Sequence, residues 1–273
     1  MNPLFKGVAA NDAKDLVNFI IMTLHQELNK AINTQQNFNF NIDQRNQILM
    51  FNTFAQNFMS ENKSIISDLF YGINCNITQC GGCQVTTFNY QTYFFLVFPL
   101  EEVRKFKMNN NQFMFNYNYN FNNNNLVNIF DCFNYDRNTN SMAGANAIYC
   151  NYCKRTCDSF MRTELTTGPE ILIILLNRVK GIEFKVKINF VEYLDLSNYL
   201  QLPNTGCKYK LIGVITHMGE SGMGGHFIAY CLDPISTNLW HRYNDDTVTQ
   251  VKNFKSEVID YAMPYLLFYQ KIQ

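Results

Sequence analysis

Residues 222–246 read Gly222-Met-Gly-Gly-His-Phe-Ile-Ala-Tyr-Cys-Leu-Asp-Pro-Ile-Ser-Thr-Asn-Leu-Trp-His-Arg-Tyr-Asn-Asp-Asp246. β-Branched and aromatic residues fill Phe227 to Leu232, turn chemistry fills Asp233 to Asn238, and Leu239 to Tyr243 resumes a strand pattern, so the chain runs out and back as a hairpin. A fold-back near Ile235 sets residues equidistant from it against each other, Tyr230 opposite Trp240 and His226 opposite Asn244. An imidazole held by an amide is two thirds of a Cys/His/Asn machine, in which the third group fixes the ring and the ring activates a thiol. Asp245 ranks second for the orienting role, because a one-residue shift in the turn would bring it to the imidazole in place of Asn244. Gly222, Gly224 and Gly225 let a backbone come close to a ligand directly before the candidate base. The plainer reading of the same residues is a partly buried strand histidine followed by an ordinary turn.

Two CxxC pairs, Cys80-Gly-Gly-Cys83 and Cys150-Asn-Tyr-Cys153, carry a second chemistry. Each spacing makes a tight knuckle whose two thiolates bite one ion, and two knuckles complete a tetrahedral four-sulfur zinc site. Four protein ligands leave no open position for water, so the zinc is expected to be structural and to fold the tip of a β-ribbon. Buried free cysteines or a redox pair are the alternatives. Cys75 and Cys157 lie close in sequence to the knuckles and stay unassigned, because the ligand set is already full.

The chain of 273 residues is long enough to bury a real core. With 22 basic and 22 acidic residues and no basic run, nothing argues for nucleic acid or an anionic membrane as partner. No signal-peptide pattern and no apolar run of membrane-spanning length is seen, which leads to the expectation of a soluble intracellular protein, in cytoplasm or nucleus. Nine cysteines, an odd number, then read as thiols and metal ligands and not as a disulfide framework.

Apolar positions from Ala13 to Leu28 follow helical spacing behind a capping Asp12, with one face expected on a core. A polar stretch, Asn33 to Asn41, precedes a second helical pattern over Gln44 to Met59. β texture begins after Cys80, with Thr86 to Pro99 running apolar through Tyr93 to Val97 as a strand buried on both faces would. The Asn-rich run 108–125 reads as an exposed or disordered insertion. Strands are expected at Ile171 to Asn177, Phe184 to Phe190, Lys210 to Thr216 and Tyr265 to Tyr269.

Tyr209-Lys-Leu-Ile-Gly-Val-Ile-Thr-His217, then Gly-Gly-His-Phe-Ile-Ala-Tyr, then Trp-x-x-Tyr-Asn-Asp-Asp-x-Val, resembles the C-terminal signature of the ubiquitin-specific proteases. Phe5 to Val17 resembles the family segment opened by Gln-Asp-Ala, with Asn11 in place of the Gln, and Ser64 to Gly72 its lead-in to the first zinc-binding cysteines. The resemblance runs from about Asn2 to Tyr269. It implies an α+β, papain-like cysteine-protease fold of fingers, palm and incomplete thumb, with a zinc ribbon that grips ubiquitin. Residues 1–70 would be the thumb remnant, 71–160 the fingers and 161–273 the palm. It also implies hydrolysis of isopeptide or peptide bonds at the ubiquitin C-terminus, with His226 as base, Asn244 as its orienter, and Gly222, Gly224 and Gly225 lining the channel for the Gly-Gly tail.

The family's nucleophile lies in an N-terminal box of the type Gly-Asn-x-Cys-x-Met-Asn, which is absent from this sequence. Cys207 leads into a strand instead of a helix, and Cys231 points to the opposite face of the His226 strand. One expectation is therefore a deubiquitinase whose Cys box lies in a missing N-terminal segment. A catalytically inactive ubiquitin-binding module, a zinc scaffold with another partner, and a hydrolase using one of its own thiols are the other readings.

Overall fold

The run Ile171-Leu-Ile-Ile-Leu-Leu sits where it must be apolar on both sides. Leu172, Ile174 and Leu176 enter one core, and Ile173 and Leu175 enter a second on the opposite face of the sheet. Each such side chain contributes about 1.5–3 kcal/mol by leaving water. The computed structural model describes residues 12–31, 43–112, 126–178, 186–202, 207–219, 224–236, 238–260 and 263–272.

Three helices come first: α1 (Ala13–Leu28), α2 (Gln47–Glu61) and α3 (Ile65–Phe70). Then follow β1 (Gly72–Cys80), β2 (Thr86–Tyr93), β3 (Phe95–Pro99), α4 (Leu100–Gln112), β4 (Leu126–Asn128) and α5 (Ile129–Asp136). Short strands β5 (Asn140–Met142), β6 (Ile148–Cys150) and β7 (Arg155–Cys157) lead into β8 (Ser159–Thr167) and β9 (Ile171–Asn177). Among the described residues the later strands are β10 (Lys187–Asn189), β11 (Tyr193–Asp195), β12 (Lys208–Met218), β13 (His226–Leu232), β14 (Trp240–Asn244), β15 (Thr247–Gln250) and β16 (Pro264–Ile272), with one short helical turn, Lys255–Ile259, before β16.

The large sheet has the order β15-β14-β13-β12-β16-β9-β3, with β11 paired to β12. All its pairs are antiparallel except β3 with β9. A second sheet, β2-β1-β8-β5, extends away toward the four candidate metal ligands. Cys75, Ile77 and Tyr90 on one of its faces are covered by Phe51 and Phe54 of α2, with the Phe51 and Tyr90 rings edge-on at 5.4 Å.

The helix expected from Asp12 forms as α1, with the Asp12 carboxylate accepting from the Lys14 backbone N–H. Its buried line is narrower than the apolar pattern suggested. Val17 and Ile21 meet the sheet, whereas Leu16, Ile20, Leu24 and Leu28 stay exposed, because the sheet touches only one edge of a broad apolar arc. His25 joins α1 to α3, its Nδ1 and Nε2 lying 2.8 Å from Ser64 Oγ and 3.0 Å from Asn62 Oδ1.

The run 86–99 is not one strand buried on both faces. It breaks at Phe94, with β2 in one sheet and β3 at the edge of the other, where Val97 faces solvent. The strand buried on both faces is β9. Residues 108–112 continue α4, and the rest of the Asn-rich run, 113–125, lies outside the described residues, as do Asn33 to Asn41. Of the strand expected over Phe184 to Phe190, Lys187–Asn189 forms β10, parallel to β4, while residues 184 and 185 are not described.

Asp136 ends α5 where burial pushes its carboxyl up to about 6. The helix C-terminus is also unfavourable for an anion. A folded-state pKa above the unfolded value means this stabilisation is complete below about pH 4 and is lost as pH rises through about 6. Asp136→Asn is therefore expected to raise stability by about 2 kcal/mol at pH 7 and by little at pH 4, read from denaturant midpoints at the two pH values.

Candidate functional site

β13 and β14 form the expected hairpin with a different register. The structure pairs Tyr230 with Arg242 and Leu232 with Trp240, so Tyr230 does not face Trp240. The turn chemistry explains the shift. The Asp233 carboxylate accepts from the N–H groups of Ile235 and Ser236, and the Asp233 N–H donates to the Leu239 carbonyl, which moves the fold-back one residue past Ile235. Trp240 instead stacks on Phe254 at 4.6 Å.

That shift moves every pairing by two positions, and two is the period of a strand. His226 and Asn244 therefore keep a common face and meet as diagonal neighbours across the two strands. His226 Nε2 lies 2.5 Å from Asn244 Oδ1. With Oδ1 accepting, the neutral ring carries its hydrogen on Nε2 and presents Nδ1 as the basic atom. Asp245 Oδ2 is 3.6 Å from the same Nε2. Asp245 has φ 51°, the left-handed conformation of the short turn into β15, and its carboxylate is largely in solvent. Asp246 accepts from the Thr247 hydroxyl.

Gly222 lies outside the described residues. A Cβ at Gly224 would enter open space, but one at Gly225 would fall 2.3 Å from His217 Cε1 and 2.5 Å from the Met218 carbonyl oxygen. The glycine at 225 is thus required by the protein's own packing. His217 was not singled out from the sequence. The only signal was its position two residues before Gly219, on the strand that precedes the glycine loop.

All nine cysteines are described, and none of them hydrogen-bonds to His226. Cys207 Sγ lies 3.0 Å from Ser197 Oγ. Cys231 occupies the other face of β13, where burial raises its thiol pKa.

Cys80, Cys83, Cys150 and Cys153 converge, with all four sulfurs within 4.8 Å of one another. The separations Cys80 to Cys153 and Cys83 to Cys150 are 3.7 and 3.8 Å. Sulfurs about 2.3 Å from a central ion in a tetrahedron stand about 3.8 Å apart, so the donor set and its spacing fit a metal ion. The Cys83 backbone N–H, seconded by that of Gly82, pulls the Cys80 thiol down to about 6, whereas sharing a proton with Cys83 holds Cys153 up. Tyr152, inside the second knuckle, donates to Asp43, which also pairs with Arg45 at 2.7 Å, tying the approach to α2 to the cluster.

A family model described as ubiquitin carboxyl-terminal hydrolase matches residues 1–269. Ubiquitin carboxyl-terminal hydrolase 4 of Vanderwaltozyma polyspora is 26% identical over 299 residues, covering 100% of this chain and 31% of that protein. Ubiquitin carboxyl-terminal hydrolase 2 of Homo sapiens is 24% identical over 277 residues, covering 98% of this chain and 41% of that protein. The chain thus spans well under half the length of these curated relatives. Among solved structures, a SAGA Ubp8/Sgf11/Sus1/Sgf73 DUB module bound to ubiquitin aldehyde superposes with a TM-score of 0.62 at 20% identity, over 97% of this chain and 50% of that one. The same kind of module bound to monoubiquitin gives 0.67 at 19% identity, over 97% and 49%. At this identity the likeness is one of fold, the papain-like fold of the ubiquitin-specific proteases.

Removing one ligand of a four-thiolate site leaves three, and the ion is then weakly held. Cys83→Ser or Cys150→Ser is expected to lower bound divalent metal from one ion per chain to near none, measured by elemental analysis of the purified protein.

Proposed function

The chain belongs to the ubiquitin carboxyl-terminal hydrolase family, and from that premise we propose that it works as part of a cysteine-type deubiquitinase. Its substrates would be ubiquitin conjugates, cut at the peptide or isopeptide bond of the ubiquitin C-terminus. The observation that carries this reading is the 2.5 Å contact between His226 Nε2 and Asn244 Oδ1. Asn244 holds the ring so that Nδ1 takes a thiol proton and later returns it to the leaving amine. Asp245, at 3.6 Å, is the weaker second partner of the same nitrogen.

The nucleophile of this reading comes from outside these 273 residues, since no cysteine among them bonds to His226. Gly224, with open space where a side chain would project, suits the approach of a Gly-Gly tail; Gly222 and Gly225 are assigned to the same channel on the family resemblance alone. The four-cysteine cluster would hold zinc as a structural ion, ordering the far end of the β2-β1-β8-β5 sheet without touching the chemistry. In family terms, residues 1–70 would serve as a thumb remnant, 71–160 as fingers and 161–273 as palm. Four cysteines gathered as candidate metal ligands suit an intracellular protein of cytoplasm or nucleus.

The absence of a bonded thiol among the described residues also favours a second reading, in which the 273 residues act as a ubiquitin-binding module or zinc scaffold without catalysis. Turnover separates the two. The 273-residue chain alone is expected to form no adduct with a thiol-directed ubiquitin probe, while a longer protein that supplies the thiol forms one. In that longer protein His226→Ala should lower kcat/KM on the order of 10³-fold or more, and Asn244→Ala by less. An inactive longer protein that still binds ubiquitin would favour the second reading. An adduct on the 273-residue chain, lost with His226→Ala, would move the nucleophile to one of its own cysteines.

A further inference from the structure

The chain between β12 and β13 begins and ends on glycines that close on one histidine. In the ladder Met218 pairs with His226 and His217 with Phe227, so His217 and Phe227 share the face opposite His226. Gly219 and Gly225 belong to that face by alternation. A Cβ at Gly225 would fall 2.3 Å from Cε1 and 2.5 Å from Nε2 of His217. One at Gly219 would fall 3.1 Å from the same Cε1 and 2.7 Å from the Gly224 carbonyl oxygen. Both ends of the loop thus rest on a single flat ring.

That ring is itself held. Phe227 meets it edge-on at 4.8 Å, and Tyr265 of β16 packs on Phe227 at 5.5 Å. The Tyr265 hydroxyl donates to the Asp12 carboxylate, at 2.9 and 2.8 Å from its two oxygens, so the N-cap of α1 anchors the far end of this row. We propose that His217 is a positioning residue, whose ring under Gly219 and Gly225 fixes the backbone from which His226 projects and thereby the His226 bond to Asn244. The inference rests on reading His226 and Asn244 as a catalytic pair. Burial first, then the charges of Arg178 beyond β9 and His226 on β13, lower the proton affinity of His217 against the opposing pull of Asp12 on α1. A neutral ring packs on the glycine backbones without placing a positive charge beside the base.

The test is nitrogen-15 NMR of the imidazoles in the zinc-loaded 273-residue chain, with the four histidines assigned by single substitutions. The unchanged protein should show His226 as the Nε2–H tautomer, and Asn244→Ala should convert it to a mixture. Failure of that comparison overturns the catalytic-pair reading itself. With it in place, His217→Ala should also turn the His226 signal into a mixture, while His217→Phe, which keeps a flat ring, retains the Nε2–H form. A His217→Ala protein that melts cooperatively and keeps the pure Nε2–H signal overturns the positioning role. Should His217→Ala not fold, His217→Leu, apolar but not planar, takes its place with the same two outcomes.

Discussion

Burial of β9 on both faces is the constraint from which the rest of the architecture follows. A strand covered on two sides satisfies its backbone only through neighbouring strands, and it finds them in β3 and β16. β16 then seats β12, and β12 seats β13. The helices α1 and α3 close one face over Ile173, Leu175 and Leu266, while the larger core fills the other. His226 begins β13 and so emerges where the buried interior meets solvent, half covered and half open.

The His226 contact with Asn244 depends on parity more than on exact register. A turn displaced by one pairing position would have sent Asn244 to the opposite face. A displacement of two keeps the face and turns a directly opposed pair into a diagonal one. Asp245 loses ground for a local reason, since the two-residue turn into β15 needs a left-handed residue and Asp245 takes that conformation. Its carboxylate stays largely in solvent, 3.6 Å from the ring nitrogen that Asn244 reaches at 2.5 Å. Backbone geometry selects which of two adjacent, chemically suitable side chains bonds to the imidazole.

The four-cysteine cluster meets a different need. The β2-β1-β8-β5 sheet has an apolar layer only near α2, where Phe51 and Phe54 cover Cys75 and Tyr90. Beyond that layer no comparable cluster of buried side chains is seen among the described residues, and four convergent thiols stand in its place. A metal ion held by these four thiols would supply there what burial supplies elsewhere. The hydrogen bond from Tyr152 to Asp43 carries the order of the knuckle back to the start of α2.

The sequence by itself determined what depends on composition and short spacing. Helix α1 and its Asp12 cap, strands β9, β12 and β16, the two CxxC knuckles and the hairpin with His226 and Asn244 on one face all follow from periodicity, turn residues and ligand geometry within a few positions. Tertiary structure alone decided which strand is buried twice, since β3 and β9 are both apolar runs and only sheet order makes one of them an edge. It also decided that α1 leaves Leu16, Ile20, Met22, Leu24 and Leu28 exposed, that Trp240 stacks on Phe254 instead of facing Tyr230, and that Gly225 is a glycine because His217 occupies its side-chain space. Periodicity reports which faces of an element are apolar; which neighbour each face meets is set by contacts between residues far apart in the chain, and no local pattern encodes those.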